Sequence, residues 1–233
     1  MGVQIIVVSG SMLAMMRMVN GLGVDTTAAF GATQQLWTYV QMPAMALGAA
    51  VSAMAAQNIG AGRWDRVTRI TEVGVIYAVV LTGVLVGLLI LADRQAMQIF
   101  LGSSPAAVEI GTHIALLATW GFIPFGVTMV LFATVRANGQ VIWPLIILFI
   151  SLFGVRLGFA YGMRPYLGSD AIWYSFPAAM VATMVMAFLL YRFGNWRGAH
   201  AMDIAPEAHP PAAALYTEAG PPGTPTAGQA PPL

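Results

Sequence analysis

Apolar residues occupy long runs of this 233-residue chain, and short polar segments separate the runs. The runs extend over residues 3–19, 27–56, 73–92, 110–135, 141–163 and 171–191. Each approaches the roughly 20 residues that an α-helix needs to cross the hydrocarbon core of a bilayer. Because unpaired backbone groups cannot face lipid, helices are the expected spanning elements. The pattern therefore predicts an all-α polytopic membrane protein of about six transmembrane helices.

Glycine, asparagine and arginine residues mark the ends of several predicted helices. The first run ends at Asn20-Gly21-Leu22-Gly23, and the fourth ends at Arg136-Ala137-Asn138-Gly139. Glycine and asparagine favour turns at such positions. We therefore assign residues 1–197 to one six-helix transmembrane domain.

The composition changes in the last segment, residues 198–233, which is rich in proline, alanine and glycine. Such a segment has little apolar surface to bury in a core. We expect a disordered tail there, and we prefer a solvated tail to a regulatory segment.

The distribution of basic residues predicts the orientation of the domain. All ten basic residues are arginine. With six crossings, one face carries Arg63, Arg66, Arg69, Arg136, Arg192 and Arg197, whereas the other carries Arg17, Arg94 and Arg164. Because cytoplasmic loops of membrane proteins are enriched in arginine and lysine, the first face is predicted to be cytoplasmic, with the C-terminus.

Composition and the missing motifs exclude several classes of function. Hydrophobic residues make up 58% of the chain and charged residues only 8%, against about 25% charged in soluble domains. The net charge of +1 is too small for the basic surface that binds nucleic acids. The absence of cysteine excludes disulfides and thiolate metal sites. Neither an HExxH motif nor a nucleotide-binding GxxxxGK[ST] loop is present. We expect no catalytic residue, no metal site, no cofactor and no nucleic-acid partner.

Four sequence blocks resemble one transporter family. The block NGLGVDTTAAFGATQQLWTYVQMPAMALGAAVSAMAAQNIGAGRWDR is similar to the start of a half of the multidrug and toxic compound extrusion (MATE) transporters. Further along, VRANGQVIWP, GVRLGFAYGM and SDAIWYSF resemble later links and helices of the same half. The resemblance covers residues 3–197 and fits the C-terminal six-helix half of the family better than the other half.

The resemblance implies a secondary active exporter of organic cations or other amphiphilic compounds. In this family, two halves face each other across a central cavity and exchange the drug for Na+ or H+ by alternating access, with sites near the repeat interface. The implied partners are the lipid bilayer, the transported compound, and a missing N-terminal half or a second copy. The implied location is the inner membrane of a bacterium. The first apolar run also lacks the basic region of a signal peptide, so we expect the chain to begin inside a larger architecture.

The chain departs from the sodium-coupled members of that family in the stretches that carry their coupling carboxylates. The matching segments here read IIVVSGS and FIPFGVT, and neither contains an acidic residue. Three explanations stay open: the coupling acid lies in an N-terminal half, the protein couples differently, or the chain is a nonfunctional truncation.

Candidate cavity residues are aromatic, thioether or amide side chains within the apolar runs. Aromatic and thioether groups adapt to varied apolar cations, and polar side chains avoid lipid. These candidates are Gln34, Tyr39, Trp120, Phe125 and Met129. For the last three we prefer core packing to a binding role, whereas for Gln34 and Tyr39 interhelical hydrogen bonding explains the pattern equally well.

Ionisable residues near or inside the runs are candidates for coupling or for structural roles. Arg156 lies inside the fifth run, where an unpaired charge costs several kcal/mol, so it should meet water, a carbonyl or an acid. His113 and Glu109 lie one helical turn apart and could relay protons, although simple solvation explains them too.

Prolines within the runs remove backbone donors and permit helix kinks. The kink candidates are Pro43, Pro124 and Pro177, although proline is also tolerated in static membrane bundles.

Two other functions fit the same architecture. The chain could belong to a lipid-linked oligosaccharide flippase of the related superfamily, but pyrophosphate needs more cavity arginines than this pattern provides. It could also be a membrane scaffold or an inert fragment that binds helices without transport.

Overall fold

A computed structural model describes residues 2–102 and 104–198, and within them the secondary structure is entirely helical. The α-helices are α1 (Gly2–Asn20), α2 (Val24–Gly60), α3 (Trp64–Leu91), α4 (Asp93–Leu101), α5 (Pro105–Ala118), α6 (Phe122–Ala137), α7 (Ile142–Phe149), α8 (Gly158–Gly162), α9 (Arg164–Leu167) and α10 (Asp170–Phe193). A 3-10 turn (Thr119–Gly121) joins α5 to α6, and a π-helical segment (Ile150–Leu157) joins α7 to α8. The predicted tail lies outside the described residues, apart from Gly198.

Six helical stretches within this part of the chain are long and apolar enough to cross a membrane. They are Val3–Asn20, Val24–Gly60, Trp64–Leu91, Pro105–Ala137, Ile142–Gly162 and Asp170–Phe193. The protein is therefore an all-α polytopic membrane protein, and the prediction of its fold class is confirmed.

The third helix begins earlier than its apolar run. The run starts at Val73, whereas α3 already begins at Trp64 and includes Arg66 and Arg69. A helix satisfies its own backbone hydrogen bonds, so it can continue into the polar interface after the hydrophobic residues end. Hydropathy therefore marks the membrane-embedded part of α3 rather than the whole helix.

The fourth span, formed by α5, the 3-10 turn and α6, is the most buried of the six. Helix α6 packs against α2, α3 and α10. A Cβ atom on Gly74 would lie 2.8 Å from Val51 Cγ2 and 3.1 Å from Val130 Cγ1. The missing side chain thus allows α2, α3 and α6 to approach closely, which is how small residues promote packing in membranes.

The three prolines predicted to kink helices differ in whether the helix around them is interrupted. Pro124 follows the 3-10 turn, which contains Trp120, the residue four positions earlier. Because proline has no N–H to donate to that carbonyl and its ring crowds it, a tighter turn replaces the regular helix here. Pro43 and Pro177 lie inside helices that continue without interruption.

Aromatic side chains of α2, α6 and α10 form one cluster in the interior. The ring centroid of Trp37 lies 5.5 Å from that of Phe122 and 5.2 Å from that of Phe176. Phe30 packs 5.7 Å from Phe176, and the Trp37 indole donates a 2.9 Å hydrogen bond to the Thr119 hydroxyl. This cluster orients the inner faces of the three helices and forms a wall of the cavity described next.

Candidate functional site

A cavity of about 290 Å³ lies among five of the six spans. Its walls come from α1, α2, α6, α10 and the stretch from α7 through the π-helical segment. The lining residues are Val8, Met12, Gln34, Trp37, Gln41, Phe122, Phe125, Thr128, Met129, Leu148, Leu152, Arg156, Phe176, Ala179, Met180 and Thr183. The cavity therefore combines aromatic and thioether surfaces with a few polar groups and one positive charge.

Helix α2 contributes Gln34, Trp37 and Gln41 to the cavity. These residues are three and four positions apart, a spacing that places side chains on one helical face. The Gln34 amide Nε2 lies 3.3 Å from the Met12 sulfur of α1, which holds the amide at the cavity wall.

Helix α6 contributes Phe125 and Met129, which are one turn apart, and Thr128 beside them. The Thr128 hydroxyl donates a 2.9 Å hydrogen bond to the Pro124 carbonyl, so its donor is already used. The structure thus brings three of the sequence-predicted cavity residues, Gln34, Phe125 and Met129, into one cavity.

Tyr39 and Trp120, the other two predicted cavity residues, do not line this cavity. The Tyr39 side chain is 56% exposed, because two residues along a helix rotate it about 200° away from Trp37. Trp120 lies in the 3-10 turn and is 42% exposed. Both side chains therefore lie at the outer surface of the helical domain rather than in its interior.

Arg156 is the most unusual residue of the cavity. It is 7% exposed, and it is the only charged residue among the buried side chains of residues 2–102 and 104–198. The guanidinium carbon lies 3.7 Å from the centre of the Phe176 ring. Nε and Nη2 are enclosed and have no hydrogen-bond acceptor among the described residues. The expected carbonyl or acid is not found beside these two nitrogens among the described residues, where the guanidinium rests on an aromatic face.

The π-helical segment positions Arg156 against α10. Its wider turn, with hydrogen bonds from residue i to i+5, is rare and is often found at functional sites. Ser151 in this segment donates a 2.7 Å hydrogen bond to the Ala179 carbonyl and also contacts the Thr183 hydroxyl. These contacts attach the segment to α10, which carries Phe176.

His113 and Glu109 lie outside this cavity. His113 Nε2 is 3.1 Å from Asp170 Oδ1, so the pair joins α5 to the first residue of α10. Both partners are partly exposed, and Glu109 is exposed as well. Within the described residues, no group of three or more histidine, cysteine or acidic side chains is arranged to hold a metal ion.

The sequence did not predict three residues of these sites. Trp37 and Phe176 line the cavity, and Asp170 pairs with His113. Trp37 could have been found from its spacing to Gln34, since both lie on one helical face. Asp170 and Phe176 are far from His113 and Arg156 along the chain, and no local pattern links them.

Residues 1–162 match the family model described as MatE. The chain belongs to the MatE family. The sixth span of this MatE chain, Asp170–Phe193, lies beyond the matched residues.

Curated relatives extend the similarity to most of the MatE chain. It is 33% identical over 193 residues to "Probable multidrug resistance protein YoeA" of Bacillus subtilis (strain 168), covering 82% of this chain and 42% of that protein. It is 34% identical over 197 residues to "Probable multidrug resistance protein YpnP" of the same organism, covering 84% of this chain and 44% of that protein. The chain thus spans less than half the length of these relatives. No solved structure is significantly similar to it.

Proposed function

We propose that this chain forms part of a secondary active efflux transporter that exports amphiphilic compounds, organic cations among them. The observation that carries the proposal is membership of the MatE family, together with relatives that are named as multidrug resistance proteins. Transport of this kind requires no covalent chemistry, so we propose no enzymatic activity for the chain. Its proposed location is the bacterial inner membrane, with the C-terminus in the cytoplasm.

The cavity described above, which we call the Arg156 cavity, has a lining that supports recognition of amphiphilic compounds. Phe125 and Met129 offer polarisable surfaces that adapt to ligands of different shape. The cavity volume of about 290 Å³ is close to the lower end, about 300 Å³, of typical small-molecule sites. A compound of modest size, or one end of a larger compound, fits such a space.

We propose that exchange for Na+ or H+ by alternating access drives export, and that another polypeptide segment supplies the coupling acid. No carboxylate lines the cavity among the described residues, and sodium ions and proton relays both depend on oxygen ligands or titrating groups. If the chain acts without that segment, the coupling group must be sought among Glu72, Glu109, His113 and Arg156.

We further propose that a second six-helix unit completes the transport pathway. The chain aligns with 42% and 44% of its two relatives, which leaves more than half of each relative without a counterpart in this sequence. Either an upstream half or a second copy of the chain could face it across a central cavity, as transporter repeats do.

Ethidium efflux from cells tests this proposal. Cells expressing the chain are compared with cells expressing the same chain fused to the upstream part of a MatE relative, at equal membrane expression. We expect ethidium export by the fusion, since the fusion restores two facing halves. Export by the chain alone would indicate that two copies assemble the pathway.

Absence of export in both cases, with both proteins present in the membrane, would contradict the proposal. The matched control is the fusion partner expressed without this chain, which should export no ethidium.

A further inference from the structure

The charge of Arg156 has no counter-charge in the part of the chain that the structure describes. All six carboxylate residues there, Asp25, Asp65, Glu72, Asp93, Glu109 and Asp170, lie outside the buried set, and none lines the cavity. A charge inside a membrane protein normally faces a partner, water or a ligand. The cavity beside Arg156 is therefore a place where a negatively charged group would be stabilised.

Stacking on Phe176 leaves the hydrogen-bonding edge of Arg156 unused. The guanidinium carbon lies 3.7 Å from the ring centre, which is the distance of a group resting on the aromatic face. All five N–H donors of a guanidinium lie in its plane and point away from such a face. Nε and Nη2, which have no acceptor among the described residues, share one edge of that plane.

That edge has the geometry for a carboxylate. Two neighbouring guanidinium N–H groups can donate parallel hydrogen bonds to the two oxygens of one carboxylate. Because both nitrogens are enclosed, binding requires the guanidinium to turn toward the cavity that Arg156 lines. This motion is a rotation about the terminal torsions of the Arg156 side chain.

None of the other polar side chains that line the cavity carries a negative charge that could neutralise Arg156. The hydroxyls of Thr128 and Thr183 donate to carbonyls of their own helices at 2.9 Å and 2.6 Å. Gln34 directs its amide nitrogen toward the Met12 sulfur. Trp37 and Phe125 supply apolar surface for the rest of a ligand.

We propose that the Arg156 cavity binds an aromatic carboxylate, as a whole small molecule or as one end of a larger amphiphilic compound. The carboxylate pairs with the Arg156 guanidinium, and the ring lies among Trp37, Phe122 and Phe125. This inference rests on the proposed function in treating the cavity as a substrate site. It assigns this cavity to exported compounds that carry a carboxylate, whereas ethidium, a cation, tests export by the whole pathway and not occupancy of this cavity.

Direct binding to the purified full chain in detergent tests the proposal. Fluorine NMR line broadening is measured for 4-fluorobenzoate, for the neutral 4-fluorobenzamide and for the cationic 4-fluorobenzylammonium. The three probes share the fluorinated ring and differ in charge, and detergent micelles without protein measure the partitioning of each probe into detergent. We expect saturable binding of the carboxylate only.

Substitutions test whether this binding depends on the Arg156 side chain. Arg156→Gln should weaken 4-fluorobenzoate binding by about tenfold or more, since the charge pair is lost, whereas Arg156→Lys should retain part of it. Arg136→Gln is the matched control, because Arg136 is a second partly buried arginine outside the cavity, with donors directed to the Phe132 carbonyl and Gln4. This control should bind 4-fluorobenzoate as the wild type does.

The inference is overturned if the wild type binds the amide as tightly as the carboxylate, or binds neither. It is also overturned if Arg156→Gln binds normally, or if fusion to an upstream half abolishes binding, since an acid of that half would then occupy the same edge. If Arg156→Gln does not accumulate, the three probes on the wild type decide. Ethidium export without carboxylate binding removes this inference alone, whereas carboxylate binding without export removes the proposed function alone.

Discussion

Hydroxyl side chains within the spans mostly return a hydrogen bond to the preceding turn of their own helix. Thr33 donates to the Ala29 carbonyl at 2.9 Å and Thr82 to the Ala78 carbonyl at 2.6 Å. This pattern satisfies a polar group locally where lipid offers no partner. Arg156 Nε and Nη2 make no such local bond among the described residues, unlike Arg136, whose Nε donates to the Phe132 carbonyl of its own helix.

The Thr71 and Thr134 hydroxyls, 2.9 Å apart, provide a test at the residue scale. Each hydroxyl also reaches a carbonyl of its own helix, Val67 or Val130, so the hydroxyl pair is not the sole partner of either group. In a double-mutant cycle with Thr71→Val and Thr134→Val, we expect a coupling of about 0.6 kcal/mol, the mean for such bonds in membranes. Detergent unfolding measures it, and a coupling above about 2 kcal/mol would contradict this view.

Helix packing in this protein depends on glycines at particular contacts rather than on glycine content. A Cβ atom on Gly126 of α6 would lie 2.7 Å from Thr82 Cγ2 of α3, whereas a Cβ atom on Gly83 would meet nothing within 4 Å. Both glycines look alike in the sequence, since each lies in an apolar run. Only their positions across the helix interface distinguish them.

Gly126→Ala should destabilise the α3–α6 contact by about 1–3 kcal/mol, because the added methyl overlaps the stiff Thr82 side chain. Gly83→Ala is the matched control and should be neutral or slightly stabilising. Combining Gly126→Ala with Thr82→Ser removes the overlapping methyl and should recover most of the loss. Thermal unfolding in detergent measures all four proteins, and equal effects of the two alanine substitutions would refute the packing explanation.

At the scale of the whole molecule, the arginines at the ends of the spans fall unequally on the two predicted faces. One face has the ends of the second, fourth and sixth spans, with Arg63, Arg136 and Arg192 at or just beyond them; the other has the ends of the first, third and fifth spans, with Arg17, Arg94 and Arg164. The bounds of the spans in the structure leave this division as the sequence predicts it. The orientation itself stays a prediction from the enrichment of arginine in cytoplasmic loops.

Reporter fusions test the orientation. Green fluorescent protein joined after residue 198 should fluoresce, and alkaline phosphatase at the same point should be inactive, because that end is predicted to be cytoplasmic. Alkaline phosphatase joined at Gly168, between α9 and α10, should be active. The opposite pattern at both positions would show that the domain is inverted.

Some cavity residues could be predicted from the sequence and others could not. Gln34, Phe125 and Met129 were predicted as cavity residues from side-chain type, and the structure places them in one cavity. Tyr39 has an equally suitable side chain but points elsewhere, because its helical phase differs from that of Gln34 and Trp37. The sequence predicted that Arg156 needs a partner, yet the contact with Phe176 joins residues 20 positions apart on different helices.

Hydropathy and residue order determined the class of this protein, its six apolar spans and its family resemblance, because each of these follows from properties read along the chain. The tertiary structure alone decided which helical faces meet, where α6 approaches α3, and that Arg156 rests on Phe176 beside a cavity. The physical reason is that lipid and protein interior are both apolar, so hydrophobicity does not distinguish the packed face of a membrane helix from its lipid face. Close contacts and hydrogen bonds between distant residues make that distinction.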